Sequence, residues 1–286
     1  MSKIVIIGSG PAGCSAALYA ARAGLEVTVI SMGVGALGKA EQIQNYYGFE
    51  EGITGAELYR RGIAGAKAVG AKFITAEVVG LDYAATLVVQ TTAGDYPADA
   101  VILATGTGRI APKIVGLAEH EGRGVSYCAA CDAFFYRGKT AAVLGNGEYA
   151  LHEVQALLPL AGRVILCTNG EPLTADFPEG VERCTEKLTA VEGEPNVTAL
   201  RLENGEILPV DGLFIALGVA GSAALARKLG APVKNGQIMA DEKMQTGIPG
   251  LYAAGDCAGG MLQVCKAVYE GALAATEAIK MLRGQK

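Results

Sequence analysis

The sequence contains no tryptophan and only two histidines, and aromatic residues make up 6% of its 286 positions. Lysine and arginine form no long run, the formal net charge is −5 and the pI is near 5.3. Proteins that bind nucleic acid through phosphate contacts concentrate positive charge on one face. The composition therefore argues against nucleic acid as a ligand and favours a small molecule or a protein as partner.

Long hydrophobic runs are missing as well. The uncharged stretch Gly212–Ala226 is shorter than the roughly 18 apolar residues that a membrane-spanning helix needs, and the longer one at Ile4–Ala21 is interrupted by glycine, serine and proline. The apolar run Ile4–Ile7 ends in a glycine and is too short for a signal peptide. We therefore expect a cytoplasmic protein without a transmembrane helix, and its 51% hydrophobic content suffices for one large or two medium domains.

Cys128 and Cys131 form a Cys-x-x-Cys pair, and the sequence has no second one. Two cysteines at this spacing can close a small disulfide, and a helix start would favour one of them as a thiolate. A structural zinc site, which needs four ligands, and a pair of inert buried thiols are the alternatives. We predict redox chemistry and no metal. The remaining cysteines are interpreted as packing or incidental thiols: Cys14, Cys167, Cys184, Cys257 and Cys265.

The N-terminus has the pattern of a dinucleotide-binding unit. A β-branched run, Lys3–Ile7, precedes Gly8-Ser9-Gly10-Pro11-Ala12-Gly13, and a helical stretch, Cys14–Ala23, and a second strand, Val27–Ile30, follow. Glycines at this spacing let the backbone turn tightly and approach a pyrophosphate, whose charge then lies at the helix N-terminus. The pattern predicts a strand, turn, helix and strand around a nucleotide.

The same pattern recurs in the middle of the chain. Strand Thr140–Leu144 leads to Gly145-x-Gly147-x-x-Ala150, a helix to Leu160 and a strand Val164–Cys167. Further predicted elements are strands at Phe73–Val79, Leu87–Thr91, Ala100–Leu103 and Leu213–Leu217 and a helix at Met261–Arg283. We place domain crossings near Gly108 and Met244. The predicted fold is α/β, with two Rossmann-like, three-layer ββα domains: residues 109–244 are inserted between residues 1–108 and 245–286.

These motifs, in this order, resemble the low-molecular-weight thioredoxin reductases, and the resemblance covers nearly the whole chain. The motifs that carry it are Gly8-x-Gly10-x-x-Gly13, Ala104-Thr105-Gly106, the stretch Cys128–Tyr136, Gly255-Asp256 and Gln263. The resemblance implies FAD as cofactor, a thioredoxin-like protein as partner and a homodimer. The cofactor-binding residues it implies are Gly8, Gly10, Pro11, Ala12, Gly13, Ser31, Met32, Gly38, Asn45, Ala104, Thr105, Gly106, Gly255, Asp256 and Gln263.

The resemblance also implies roles around the cysteine pair. Cys131 would face the flavin, and Cys128 would attack the disulfide of the partner. Asp132 would give or take the proton, with a pKa raised by its partly buried position beside a thiolate. The alternatives are that Asp132 and Asp256 only cap helices and that Gln263 is an ordinary surface residue.

The second nucleotide-type unit departs from the family where NADPH would bind. Its strand ends in Cys167–Leu173, which contains no arginine for a 2′-phosphate and no acid at the strand end for a ribose. Glu148 lies at the start of the helix, where its charge would repel a phosphate. We predict a degenerate nucleotide site; the alternative is that Glu148 turns to solvent and a nucleotide still binds.

Electrons must then enter by another route. The ferredoxin-dependent flavin thioredoxin reductases keep this scaffold and the cysteine pair, and the stretch from Ile30-Ser31-Met32-Gly33 through Gln44–Phe49 is similar to that branch. We therefore expect ferredoxin as donor, since a flavin can accept single electrons. Ferredoxins are usually acidic, so a local basic face is needed. Its candidates are Arg60, Arg61, Lys67, Lys72, Arg109, Lys113 and Arg123.

Three other functions stay open. The chain could be a thioredoxin reductase that uses NADPH or NADH, a flavin reductase of the ferredoxin–NADP type, or a flavin-bearing redox sensor without turnover. Enzymes of the ferredoxin–NADP type lack the cysteine pair, and a sensor has little need of two thiols beside a flavin. Cys257 and Cys265 flank the presumed flavin segment and are interpreted as packing residues.

Overall fold

A computed structural model describes residues 1–106, 113–218 and 221–284. The chain divides into two compact units. The first unit combines Met1–Arg109 with Gly221–Lys286, and the second is Ile110–Ala220. The second unit is thus an insertion within the first, and each is described here by itself.

The first unit contains a five-stranded parallel sheet and a three-stranded antiparallel sheet. Its N-terminal segment consists of β1 (Lys3–Ile7), α1 (Pro11–Arg22), β2 (Glu26–Ser31), a 3-10 helix (Gly35–Lys39), α2 (Gly55–Ala68), β3 (Lys72–Thr75), β4 (Val78–Tyr83), β5 (Leu87–Thr91), β6 (Gly94–Ala98) and β7 (Ala100–Leu103). The antiparallel sheet has the order β4-β5-β6.

The second unit repeats this plan. It consists of β8 (Val125–Ser126), α3 (Ala129–Asp132), a 3-10 helix (Ala133–Tyr136), β9 (Thr140–Leu144), α4 (Glu148–Leu157), β10 (Arg163–Cys167), β11 (Glu182–Cys184), β12 (Leu188–Glu192), β13 (Ala199–Leu202), β14 (Ile207–Pro209) and β15 (Gly212–Ile215). The parallel sheet has the order β11-β10-β9-β15-β8, and β12-β13-β14 form an antiparallel sheet.

The chain then completes the first unit. Its C-terminal segment consists of α5 (Ser222–Lys228), β16 (Val233–Lys234), β17 (Gln237–Ile238), β18 (Leu251–Ala253), a 3-10 helix (Asp256–Ala258) and α6 (Val264–Gly284). Strand β18 adds to the parallel sheet, whose order is β18-β7-β1-β2-β3. The predicted α/β class with Rossmann-like units is confirmed.

Small side chains bring α1 and α6 close together in the first unit. Ala16 and Ala17 of α1 and Ala274 of α6 are fully buried in one core cluster. A Cβ atom at Gly271 would collide with the carbonyl oxygen of Ala12. The alanine-rich helices therefore pack tightly over the sheet because neither presents a large side chain at the contact.

The return of the chain to the first unit differs from the sequence prediction. The division falls at Gly221 rather than near Met244, and the other predicted crossing, near Gly108, lies outside the described residues. Helix α5 packs against β4, and the hydroxyls of Thr105 and Ser222 are hydrogen-bonded. These contacts attach the segment after Gly221 to the first unit.

The predicted strand Phe73–Val79 is wrong as a single element. The structure divides it into β3, which pairs with β2 in the parallel sheet, and β4, which pairs with β5 in the antiparallel sheet. The final helix begins at Val264 rather than near Met261. None of the described helices combines the length and the apolar character needed to cross a bilayer.

Candidate active site

Most of the predicted cofactor-binding residues meet at one edge of the first parallel sheet. Strands β1, β2, β7 and β18 run parallel as neighbours, and each is followed by one of the predicted segments. These segments are Gly8–Gly13, Ser31 at the end of β2, Ala104–Gly106 and Gly255–Asp256. The carboxyl edge of a parallel sheet is where nucleotides bind in open α/β folds.

The first glycine turn has the geometry of a pyrophosphate cradle. Gly8 has φ +109°, and a Cβ atom there would collide with the carbonyl oxygen of Ala104. A Cβ atom at Gly13 would collide with the carbonyl oxygen of Gly8. At Gly10, by contrast, a Cβ would have no neighbour within 4 Å. The turn is therefore tightly packed at Gly8 and Gly13, where backbone groups approach closely, and has free space at Gly10.

The start of α1 is free to bind an anion. Gly10 is the N-cap residue, Pro11 occupies the first turn, no side chain caps the helix and the first turn has no acidic residue. Pro11 also lacks an N–H that would need a partner. The N–H groups and dipole of the helix end suit a phosphate, so these residues fit the diphosphate of FAD.

A small hydroxyl network fixes the turn from the side of β2. The hydroxyl of Ser9 lies 2.7 Å from that of Ser31 and 3.0 Å from that of Tyr59 on α2. Tyr59 was not predicted as a site residue, because it lies on a helix remote in sequence from the glycine turn. Ser31 thus contacts the turn through Ser9.

The segment Gly255-Asp256 is held by a largely buried ion pair that the sequence analysis missed. Lys266 Nζ and Glu270 Oε2 lie 2.9 Å apart, and each side chain is 13% exposed. The N–H of Gly255 donates to Glu270 Oε2 at 2.8 Å, and Lys266 Nζ donates to the carbonyl oxygen of Gly255 at 2.9 Å. Charges at positions i and i+4 near the start of a final helix are the signal that could have identified the pair. Asp256 begins the 3-10 helix, with Gly255 as its N-cap residue.

Two of the predicted residues on the outer loops also meet. Asn45 Nδ2 donates to Gln263 Oε1 at 2.8 Å, so these two amides form one polar pair. Met32 is 60% exposed, and Gly38 lies on the exposed 3-10 helix, where a Cβ would meet the Val34 side chain. No described contact joins Met32 or Gly38 to the glycine turn.

The cysteines near the presumed flavin segment differ from each other. Cys257 is buried, and its thiol donates to the carbonyl oxygen of Leu103 at 3.2 Å. Burial raises the pKa of Cys257 to about 11. Cys257 therefore behaves as a packing residue, as predicted, whereas Cys265 is exposed and does not.

Cys128 and Cys131 are joined as a disulfide, with a Cα–Cα distance of 5.4 Å. Cys128 is the N-cap residue of α3, and its Sγ accepts the N–H of Cys131 at 3.1 Å. An N–H that donates to a sulfur stabilises the thiolate after reduction. The helix start thus favours Cys128 as a thiolate, which agrees with the sequence argument.

Asp132 belongs to a hydrogen-bonded group around the disulfide. Ser126 Oγ donates to Asp132 Oδ2 at 2.6 Å and accepts the N–H of Cys128 at 3.1 Å. The Asp132 carboxylate therefore has a fixed position one residue from Cys131. Cys128 is the N-cap residue of α3, and Asp132 is the N-cap residue of the following 3-10 helix, where its side chain makes no capping hydrogen bond.

Helix α4 holds the cysteine loop through two residues that the sequence analysis did not identify. The hydroxyl of Tyr149 donates to the carbonyl oxygen of Tyr127 at 2.9 Å. One turn later, the fully buried Glu153 accepts the N–H of Ala129 through Oε2. Residues four apart lie on the same helix face, so α4 fixes the backbone on both sides of Cys128. A buried acid on a mainly apolar face is the signal that could have revealed Glu153.

The two cysteines differ in exposure. Cys131 is exposed, whereas Cys128 is 3% exposed. A sulfur that attacks a protein disulfide must be reachable. If Cys128 attacks the partner, as the resemblance implies, its sulfur must therefore become accessible first; that role stays a prediction.

The second glycine turn is closed by the chain itself. Asn146 Nδ2 donates to the carbonyl oxygen of Pro172 at 2.7 Å, and the N–H of Thr174 donates to the carbonyl oxygen of Asn146 at 2.8 Å. Glu148 is the first residue of α4 and is partly exposed. The segment after β10 thus covers the turn where a nucleotide would approach.

The candidate basic residues of α2 share a single carboxylate, so the helix keeps a net positive charge. Arg60 and Arg61 each lie 2.7 Å from Glu57, whose pKa these two guanidinium groups lower to about 2. Lys72 pairs with Glu26 at 3.2 Å, and the Lys67 ammonium lies 5.6 Å from the centre of the Phe73 ring. Lys113 and Arg123 are exposed, and Arg109 lies outside the described residues.

Known protein families and sequences are similar to this chain over most of its length. The family model for pyridine nucleotide-disulphide oxidoreductases matches residues 2–271. Thioredoxin reductases from Listeria innocua and Aquifex aeolicus are 33% and 34% identical to this chain, and each match covers 99% of this chain and 94% of the relative.

Solved structures of thioredoxin reductases are also similar to this chain. The atypical thioredoxin reductase TRi from Desulfovibrio vulgaris Hildenborough is 41% identical, with a TM-score of 0.93 over 100% of this chain and 99% of that chain. A ferredoxin-flavin thioredoxin reductase from Clostridium acetobutylicum is 33% identical, with a TM-score of 0.74 over 99% and 100%. The chain therefore belongs to the thioredoxin reductases, FAD flavoproteins of the pyridine nucleotide-disulphide oxidoreductase family.

Proposed function

We propose that this enzyme reduces the disulfide of a thioredoxin-like protein and receives its electrons from reduced ferredoxin rather than from NADPH or NADH. The observation that carries the choice of donor is the closed second glycine turn. Asn146 is bonded to both Pro172 and Thr174, and an acid begins the helix behind it.

Three features of that turn act against a nucleotide. Asn146 Nδ2 and Thr174 N lie near the place that a pyrophosphate would occupy, and both already donate hydrogen bonds within the protein. The Glu148 carboxylate is stabilised by the helix dipole by about 0.3–1 kcal/mol and repels a phosphate. The segment Cys167–Leu173 has no arginine to bind a 2′-phosphate. Together they remove both the space and the charge that a dinucleotide needs.

Ferredoxin as donor has support of two kinds. A protein named as a ferredoxin-flavin thioredoxin reductase, from Clostridium acetobutylicum, is similar to this chain over 99% of its length. Bound FAD supplies a carrier that can accept electrons one at a time and pass on a pair. The open turn at Gly10 and the free start of α1 are the groups that would bind its diphosphate.

The chain's own residues account for the disulfide step. A thiolate of the reduced Cys128/Cys131 pair attacks one sulfur of the partner disulfide, and a mixed disulfide forms as the partner's other sulfur leaves. The second cysteine then attacks the mixed disulfide, so the enzyme disulfide forms again and the partner leaves as a dithiol. Two electrons and two protons pass to the partner, and Asp132, fixed by Ser126, is placed to hold one proton.

A surface for a protein partner lies next to the cysteine pair. Phe134 and Phe135 are both 66% exposed, and their rings form an edge-to-face pair with centroids 6.2 Å apart. Exposed aromatic side chains are frequent anchors at protein interfaces. Their position three and four residues after Cys131 supports a thioredoxin-like protein as the partner.

The choice of donor is tested by stopped-flow reduction of the oxidised holoenzyme under anaerobic conditions. Reduced ferredoxin, NADPH and NADH are mixed with the enzyme in parallel, and the flavin absorbance is followed. We expect bleaching on the timescale of turnover with ferredoxin only. Equally fast bleaching with NADPH or NADH would establish the alternative, a pyridine-nucleotide-dependent thioredoxin reductase.

The two sulfurs are distinguished by trapping. Cys128→Ser and Cys131→Ser variants, each with bound FAD, are incubated with a thioredoxin that lacks its resolving cysteine and carries an activated thiol. We expect a mixed disulfide mainly in Cys131→Ser, because the start of α3 and the N–H of Cys131 stabilise Cys128 as the thiolate, and loss of turnover in both. Trapping only in Cys128→Ser would assign the attack to Cys131, and retained turnover in either would remove the pair from the mechanism.

A further inference from the structure

The second unit contains two more cysteines that lie side by side, apart from the redox-active pair. Cys167 ends β10 and Cys184 ends β11, and the two residues are direct partners in the parallel pairing of these strands. The N–H of Thr168 donates to the carbonyl oxygen of Cys184 at 2.9 Å, so the pairing continues past the strand ends.

The separation of paired strands suits a disulfide. Neighbouring strands lie about 4.8 Å apart, and disulfides bridge Cα separations of about 4.4–6.8 Å. Both side chains also lie on the same face of the sheet, because Cys184 packs against the core cluster that contains Cys167. No backbone rearrangement is therefore needed to bring the two sulfurs together.

We propose that Cys167 and Cys184 form a second dithiol–disulfide site, oxidised by hydroperoxides. The exposure of each residue indicates its role in the reaction. Cys184 is partly exposed and can be reached by a small oxidant, whereas Cys167 is completely buried beside it. Cys184 is thus the attacking thiol and Cys167 the resolving thiol.

The electrostatics agree with this division. The hydrogen bond from Cys167, helped by the N–H of Glu186, lowers the pKa of Cys184 to about 7 against the effects of burial and of the Glu186 and Glu206 carboxylates. The same hydrogen bond and burial raise the pKa of Cys167, and the Glu182 carboxylate adds to the increase. The Cys184 thiol therefore ionises more readily near neutral pH than an ordinary cysteine, and the thiolate is the reactive form.

The reaction balances without any further reagent. The Cys184 thiolate attacks one oxygen of hydrogen peroxide, the O–O bond breaks, and a sulfenic acid and one water form once a proton is taken up. The Cys167 sulfur then attacks the sulfenic sulfur, the S–S bond forms, and the second oxygen leaves as water with the Cys167 proton. Two thiols lose two electrons and two protons in total, and one peroxide becomes two waters.

The test maps cysteine oxidation in the holoenzyme. The protein is reduced, freed of reductant, treated with hydrogen peroxide in excess over the Cys128/Cys131 pair, alkylated after denaturation and digested without reduction. We expect a peptide pair linked through Cys167 and Cys184. The link should persist in Cys265→Ser, a control that removes an exposed cysteine, and disappear in Cys184→Ser.

A second measurement separates a specific site from general oxidation. In Cys167→Ala, which removes both the resolving sulfur and the hydrogen-bond donor, Cys184 should stop at the sulfenic acid and be captured by dimedone, and the pH of half-maximal Cys184 alkylation should rise from near 7 towards the ordinary value of about 8.5. Recovery of both residues as free thiols while the Cys128–Cys131 disulfide forms would overturn the proposal, as would an unchanged alkylation profile in Cys167→Ala.

Discussion

The two glycine turns of this enzyme have the same local fold and opposite surroundings. Each follows a central strand of a parallel sheet and starts a helix whose N-cap is the second glycine, Gly10 in one and Gly147 in the other. In front of Gly10 a Cβ would have no neighbour within 4 Å, whereas in front of Gly147 it would lie 3.1 Å from the Thr174 hydroxyl. Two turns of the same sequence pattern therefore leave very different space beside the helix N-terminus.

The helices behind the turns differ in the same way. Helix α1 presents Ala12 to Gly271 of α6, and its start is free of acids. Helix α4 begins with Glu148 and uses Tyr149 and Glu153 to hold the loop of Cys128. One Rossmann-like unit thus keeps the features of a cofactor cradle, and the other supports the disulfide.

The largest expected effect comes from closing the open turn. In Gly10→Val, the new side chain has room in the protein alone, since Gly10 has φ −70° and no neighbour at the Cβ position. It would occupy the space in which a diphosphate approaches the backbone. We expect FAD affinity to fall by at least ~100-fold, about 2.7 kcal/mol, measured by flavin content and equilibrium dialysis.

The matched change in the other turn is Gly147→Ala. We expect it to keep its FAD and its ferredoxin-driven turnover, because that turn is closed by Thr174. Normal flavin content in Gly10→Val, with an intact circular dichroism spectrum in both variants, would mean that the cofactor does not use the first turn.

The next effect concerns Glu153, the buried acid of α4. In Glu153→Ala the N–H of Ala129 loses its acceptor inside the protein, which costs about 1–3 kcal/mol. Urea unfolding of the holoenzyme should show that loss, together with slower reduction of thioredoxin. Glu153→Gln keeps an acceptor oxygen and should lose less.

Glu148 on the same helix provides the comparison for Glu153. It is partly exposed at the helix start, so Glu148→Ala should cost no more than about 1 kcal/mol. Equal losses in Glu153→Ala and Glu148→Ala would show that the contact with the cysteine loop contributes little.

The sequence was sufficient for the parts of the fold that are encoded locally. The runs Lys3–Ile7 and Thr140–Leu144 were predicted with the observed bounds, because β-branched residues are followed directly by a glycine turn. The run Phe73–Val79 was not divided correctly, since both halves are apolar. Only pairing with two different sheets, to β2 and to β5, separates them.

In the candidate site, too, the sequence identified local motifs but not contacts between distant residues. The cysteine pair and the first glycine turn are motifs that are continuous in sequence, so they could be identified directly. Tyr149, Glu153 and Lys266 act on backbone groups distant in sequence, and no local pattern specifies those contacts. The same applies to the contact of Thr174 with the second turn. The prediction of a degenerate nucleotide site rested only on the missing arginine and on Glu148, and no local pattern indicated this contact.

A smaller effect is expected at Tyr149, which occupies the position of Ala12 in the second turn. Tyr149→Phe removes one hydrogen bond to the carbonyl oxygen of Tyr127 and leaves the ring in place. The loss should be about 0.5–1.5 kcal/mol in urea unfolding, with FAD content unchanged. Tyr19→Phe on α1, where the side chain is 52% exposed, is the control and should change stability by less than ~0.5 kcal/mol.

The smallest effect should follow from removing the charge at the second turn. Glu148→Gln removes the repulsion between the carboxylate and a phosphate, about 1 kcal/mol at a separation of about 4 Å in water, which limits any gain in NADPH-driven flavin reduction to about fivefold. The turn stays closed, since Asn146 keeps its hydrogen bonds to Pro172 and Thr174. The Thr174 hydroxyl also stays next to Gly147. Anaerobic stopped-flow with NADPH measures the gain, and the ferredoxin-driven rate of the same variant is its reference. If NADPH then reduced the flavin as fast as ferredoxin does, a single carboxylate would be the whole difference between the two turns, and closure by the chain would have no part in it.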